Sequence, residues 1–207
     1  ANLQQAISQS NRPLIIVGPL APHDDIASIE QLANDLNSPV LTESKIDHQN
    51  TISGFAGFLR NDKLRDNLQP DLILRFGFQP TDKSLELSLR DWQPQYHYHF
   101  ASTHAWQDAT NSGATRITWM GQALRLEQLS PSPKNGWLSQ WKKAAESFEA
   151  YRNDVMTAPS ELTDGAIYNH ITPQLNDDYF MMVSNSFPAR DINLFGRQAT
   201  SVPIYLN

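Results

Sequence analysis

Pro70-Asp71-Leu72-Ile73-Leu74-Arg75-Phe76-Gly77 is the stretch on which the reading of this chain turns. Its apolar residues run almost unbroken and end in glycine, as in a parallel strand buried on both faces. Arg12-Pro13-Leu14-Ile15-Ile16-Val17-Gly18 has the same form. Pro39 to Glu43, Tyr96 to Phe100 and Thr115 to Met120 are further strand candidates. Helical patterns lie between them. Asp24-Asp25 opens an amphipathic stretch with Ile26, Ile29, Leu32, Ala33 and Leu36 on one face, and the acidic pair suits a helix N-terminus. Phe55 to Leu68 reads as a second helix and Asp82 to Trp92 as a third. This alternation predicts an α/β class fold, Rossmann-like, with a mostly parallel sheet, helices on both faces and right-handed crossovers.

The composition shifts at Ser130-Pro131-Ser132-Pro133, a linker-like break, and a long helix is expected from Trp137 to about Met156. After a second break at Thr157-Ala158-Pro159-Ser160 come a helical stretch from Leu162 to Leu175, a strand from Tyr179 to Ser184, a short helix after Pro188 and a terminal strand from Val202. The expected division is a Rossmann-like domain over 1–156 that includes the long helix, followed by a linker and the opening β-α-β of another domain over 157–207. No Met starts the chain, and the final strand stops without a following turn, so the expectation is a piece of a longer protein.

The 207 residues are 40% hydrophobic, enough for a core, and carry a net charge of −6. That balance argues against a nucleic-acid binder, which would show a basic stripe. No apolar run reaches the ~18–20 residues of a membrane span, and the polar start Ala1-Asn2-Leu3-Gln4-Gln5 is unlike a signal peptide. With no cysteine there is neither a disulfide framework nor a thiol nucleophile. A soluble cytoplasmic protein is expected.

The turn after the first strand, Gly18-Pro19-Leu20-Ala21-Pro22, lacks the further glycines that let a backbone approach a dinucleotide pyrophosphate, and its prolines remove N–H donors. His97, His99 and His104 form a His-x-His-x4-His cluster, and strand alternation puts the first two on one face. A row of polar-tipped residues near a sheet end is the plainer reading, and no metal ligand is assigned. No Gly-x-Ser-x-Gly elbow occurs, and pairing Ser186 with His170 is a coincidence of sequence. The Trp137, Trp141 and Phe148 stripe reads as a packing face.

Ser184-Asn185-Ser186-Phe187-Pro188-Ala189-Arg190-Asp191 carries more. It leads from an apolar strand into a helix, with Ser186 placed as N-cap and Pro188 in the first turn. Free amides, a hydroxyl and an arginine suit a carboxylate, which Arg190 can grip bidentately. Simple capping with a solvated arginine explains the same residues equally well. Lys83, beyond Gly77-Phe78-Gln79-Pro80 at the end of the best strand, is a second candidate, because open α/β sheets bind ligands there.

Together these segments resemble the SEPHCHC synthase family of thiamine-diphosphate enzymes. The resemblance rests on Arg12 to Ile16, Phe58-Leu59-Arg60-Asn61-Asp62, Pro70 to Gly77 (the family's "PDVVIRFG") and Asn185 to Asp191 (its "GNSMPIRD"), in the family's order along nearly the whole chain. Ser184 departs from that pattern, standing where the family has Gly, and Trp106-Gln107-Asp108 stands where some relatives have Trp-Arg-Asp-Pro. The resemblance implies a central domain plus the start of the pyrophosphate-binding domain of a three-domain, homo-oligomeric transferase. That enzyme decarboxylates 2-oxoglutarate on thiamine diphosphate with Mg2+ and adds the carbanion to isochorismate in menaquinone biosynthesis. It further implies that Ser186 and Arg190 hold substrate carboxylates, that Lys83 faces substrate, and that this chain has no catalytic, cofactor-binding or metal residue of its own, hence no activity alone. Two other readings stay open: the central domain of an acetolactate-synthase-like enzyme, and a free-standing Rossmann-like binding module.

Overall fold

In the computed structural model, which describes residues 2–43, 46, 48–101, 112–119, 121, 136–157, 162–176, 178–196 and 202–206, the decisive stretch becomes the centre of a sheet. The elements run α1 (Leu3–Gln9), β1 (Pro13–Val17), α2 (Ile26–Leu36), β2 (Val40–Thr42), α3 (Phe55–Phe58), α4 (Asp62–Asn67), β3 (Leu72–Phe76), α5 (Lys83–Asp91), β4 (Tyr96–Ala101) and β5 (Thr115–Thr118). Strands pair in the order β2-β1-β3-β4-β5, all parallel, with Leu14 opposite Ile73 and Ile73 opposite His97. This is a doubly wound order in which the chain changes direction across the sheet between β1 and β3.

Alternation along each strand divides the core in two. Leu14, Ile16 and Ile73 face one side, with Phe58, Leu85, Leu89 and Trp141 from the helices covering it. Ile15, Val17, Leu72, Leu74 and Phe76 face the other, against Ile7 of α1 and Ile29 and Leu32 of α2. Helices therefore cover both faces, as the sequence implies. Each such side chain removed from water stabilises the fold by about 1.5–3 kcal/mol before entropy is counted.

The helix expected over Phe55 to Leu68 is in fact two. Asn61 takes an extended conformation and its side chain accepts the Leu64 amide at 3.1 Å, which starts α4 afresh. Gly57 of α3 meets the ring of Phe148, where an added Cβ would lie 2.0 Å from the ring tip. Helix α1 lies in the polar start where no element is expected; Asn2 caps it by accepting the Gln4 amide at 3.0 Å. The long helix appears as α6 (Trp137–Thr157). The stretch from Leu162 shortens to α7 (Asp164–Ile171), capped by Thr163 and followed by a 3-10 turn at Thr172–Gln174 containing Pro173.

Next come β6 (Met181–Val183), α8 (Phe187–Asp191) and β7 (Ile204–Leu206). Here α8 begins one residue before Pro188 and runs into a π-helical turn, Ile192–Gly196, that sequence patterning does not reveal. β6 and β7 form a separate two-stranded parallel sheet. The linker-like 130–133, and residues 158–160 of the second break, lie outside the described residues.

Candidate functional site

Open α/β sheets take ligands where strands end and the chain changes direction, so the turns after β1 and β3 come first. They interlock. The Gly18 amide donates to Phe76 O at 3.0 Å and the Phe78 amide to Pro19 O at 2.9 Å. Gly77 holds φ at +77°, and an added Cβ there would sit 2.5 Å from Pro19 O. One on Gly18 would sit 1.9 Å from Phe78 O. Main chain of the two turns thus packs directly together at these strand ends.

Beside these turns, Glu43 reaches from the end of β2 to the start of α5. Its carboxylate accepts the Thr81 amide (2.8 Å), the Thr81 hydroxyl (3.0 Å) and the Asp82 amide (2.7 Å). Burial holds its carboxyl above the usual glutamate range, although the Thr81 and Asp82 amides pull the other way. Asp82 is the N-cap of α5, accepting the Leu85 amide at 2.8 Å. Lys83 follows as the first helical residue; its side chain is 56% exposed and its Nζ pairs with Glu86 at 2.7 Å. An exposed pair of this kind is worth about 0.2–1 kcal/mol, so the ammonium is easily redirected.

The turn between β6 and α8 is strained. Ser186 has φ 74° and ψ −125°, one of two non-glycine positive φ values among the described residues; such backbone costs roughly 1–3 kcal/mol. Ser186 occupies the N-cap position as expected, but its side chain makes no capping bond, so the hydroxyl stays exposed. One helical turn on, Arg190 donates through Nε to Ser186 O at 3.3 Å, and its guanidinium lies 5.1 Å from the Phe187 ring centre. Among the described residues its two terminal nitrogens make no hydrogen bond. Asp191 beside it is held above the ordinary aspartate range, by burial first and then by Asp164, against the pull of Arg190 and Arg60.

The structure brings Ser186 and Arg190 together. Lys83 touches neither directly, but all three sit on elements linked to α3. The Ser84 hydroxyl and Arg60 Nε both donate to Ala56 O at 3.1 Å, and the π-turn that continues α8 packs on α3. Arg152 fastens the same junction: it holds Glu149 through two bonds (2.9 and 2.7 Å) and donates to Phe195 O at 2.8 Å.

The other candidates resolve plainly. His97 and His99 are buried, and His99 Nε2 lies 2.9 Å from Gly77 O. His104 and the Trp106-Gln107-Asp108 departure fall outside the described residues. No group of three or more His, Asp or Glu side chains able to hold a metal occurs among the described residues, nor does a helix long and apolar enough to cross a membrane. His170 is exposed, with no contact to Ser186 among the described residues. Trp137, Trp141 and Phe148 pack edge-to-face into the core with Phe58 and Trp92. A recess of about 540 Å³ lies at the other end of α5, between Arg90, Trp92, Tyr96 and Thr115, away from the strand ends.

Sequence reasoning missed Glu43 and Arg152. A carboxylate closing a strand at the ligand end was the available signal for the first; nothing local signalled the second.

No family model matches the chain. Curated relatives do. It is 26% identical over 219 aligned positions to 2-succinyl-5-enolpyruvyl-6-hydroxy-3-cyclohexene-1-carboxylate synthase of Bacillus velezensis, covering 100% of this chain and 37% of the relative. The synthase of the same name from Haloarcula marismortui is 27% identical, covering 94% of this chain and 34% of the relative. That from Chloroflexus aurantiacus is 25% identical, covering 100% and 37%. The chain therefore spans about a third of the length of the curated relatives it matches. Along nearly all of its length, this α/β chain is similar to the 2-succinyl-5-enolpyruvyl-6-hydroxy-3-cyclohexene-1-carboxylate (SEPHCHC) synthases.

Proposed function

We propose that this chain is the central part of a SEPHCHC synthase, with 1–156 as its Rossmann-like domain and 157–207 as a linker and the start of its pyrophosphate-binding domain. The observation that carries the reading is the match to synthases of one name across nearly the whole chain. In the whole protein, a cytoplasmic homo-oligomer, 2-oxoglutarate would be decarboxylated and the resulting four-carbon unit added to isochorismate.

The part played here is recognition of acids. Arg190 offers two guanidinium nitrogens that are uncommitted among the described residues, beside the exposed Ser186 hydroxyl, a pairing that suits a planar carboxylate. The strained turn keeps that hydroxyl from being used up as a helix cap. Lys83 adds a mobile cation at the sheet's ligand edge.

Thiamine diphosphate and Mg2+ do not fit the residues described. At the strand ends, the Gly18 and Gly77 turns hydrogen-bond and press against each other rather than presenting free amides to a diphosphate, and no three side chains converge as metal ligands among the described residues. We assign the cofactor's seat to the rest of the longer protein.

In the full-length protein, Arg190→Ala is expected to raise KM for one of the two acid substrates at least about tenfold, as loss of a charge-assisted contact does. Arg190→Lys should recover part of the loss. Unchanged KM for both acids would remove the site. Titration of the 207-residue chain alone with thiamine diphosphate and Mg2+ should show no micromolar binding, and such a site would overturn the assignment of the cofactor elsewhere.

A further inference from the structure

Glu43 stands at the strand-end edge of the sheet and is 8% exposed. Its two oxygens accept from Thr81 and Asp82 in the turn that follows β3, with β1 lying between β2 and β3 in the sheet. A buried carboxylate there is more than helix capping requires, since Asp82 already caps α5 with its own side chain. What Glu43 adds is location: it fixes to the sheet edge the turn from which α5 departs. The hold passes onward through the Ser84 hydroxyl, whose single proton lies between Asp82 Oδ1 and Ala56 O of α3. Lys83 directly follows this braced turn as the first residue of α5. An apolar side chain at 43 would leave two amides without their acceptor, and an amide side chain would set NH2 against one of them.

We propose that Glu43 is the positioning residue for Lys83, fixing the turn from which the lysine side chain sets out toward a bound acid. This rests on the functional reading of Lys83 given above. Glu43 touches no substrate; it acts through the turn.

The test uses the full-length protein and four variants: Glu43→Gln, Glu43→Asp, Lys83→Ala and the Glu43→Gln/Lys83→Ala double. Lys83→Ala should raise KM for one acid substrate about tenfold while kcat moves less than about twofold. Glu43→Gln should do the same to the same substrate, Glu43→Asp should restore part of it, and the double variant should be no worse than Lys83→Ala alone. Amide exchange at Thr81 and Asp82 should quicken in Glu43→Gln. Additive losses in the double variant, or wild-type KM in Glu43→Gln where Lys83→Ala is impaired, would overturn the positioning role. If Lys83→Ala and Arg190→Ala both leave KM unchanged, the functional reading itself falls and takes this role with it. Exchange at Thr81 and Asp82 would still report separately whether the clamp exists.

Discussion

The chain contains two parallel sheets that differ in almost everything but strand direction. In the five-stranded sheet, β1 and β3 are buried along their full lengths and helices cover both faces. In the two-stranded sheet, Met182 is 71% exposed and Tyr205 56%, and Phe180 just before β6 is 64% exposed. Parallel sheets normally need cover on both faces, so the second has no means of holding itself as the first does. What anchors it lies at its base, where the π-turn meets α3 and α7 and Arg152 grips Phe195 O. The acid-binding candidates Ser186 and Arg190 thus sit on the more exposed part, joined to the larger sheet's helices through this base.

The largest effect should separate the two regions by stability. Trp141→Ala empties a fully buried site between Phe58, Trp92 and Trp137, and should cost about 3–5 kcal/mol in urea unfolding. Phe180→Ala, on the exposed ribbon, should shift the same midpoint by no more than about 0.5 kcal/mol. Comparable losses would mean that the ribbon is as integral as the sheet.

A smaller effect should appear at the strained turn. Ser186→Gly relieves the positive φ and is expected to raise stability by about 1 kcal/mol, while weakening acid binding in the full-length protein because the hydroxyl is gone. A loss of stability would show that the serine hydroxyl is holding the turn together.

The smallest is a slope. Glu43 is held above the ordinary glutamate range by burial, so the folded state keeps its proton to higher pH than the unfolded one. Its contribution is fully present below the unfolded value and is lost as pH rises through the folded value. Unfolding free energy measured across mildly acidic pH should fall accordingly, and Glu43→Gln should flatten that part of the curve even though it lowers the whole. An unchanged slope would place the titration elsewhere.

These contrasts track what was legible in the residues. Strands β1 and β3 announce themselves because a run such as Leu72 to Phe76 has no solvent side to leave polar. Helix α5 could be bounded because Asp82 caps it and Trp92 ends it. The break between α3 and α4 was missed because the apolar pattern runs on across Asn61, whose extended backbone and cap on Leu64 start α4 afresh. The pairing of Ser186 with Arg190 was readable from their spacing in one short segment. Glu43 was not, since its partners at Thr81 and Asp82 become neighbours only after β1 and β3 have paired. The π-turn at Ile192–Gly196 has no periodic signature to betray it.

The strand order also bears on how the chain assembles. β1 lies between β2 and β3, so as the chain leaves the ribosome β2 can cover one edge of β1 early. The other edge stays bare until Leu72 to Phe76 emerge. Pairings of this reach are slow to close, and bare apolar edges invite association with other chains. Synthesis therefore passes through an interval in which the most apolar strand of the protein is half paired. Completing the Pro70–Gly77 stretch ends that hazard as well as centring the sheet.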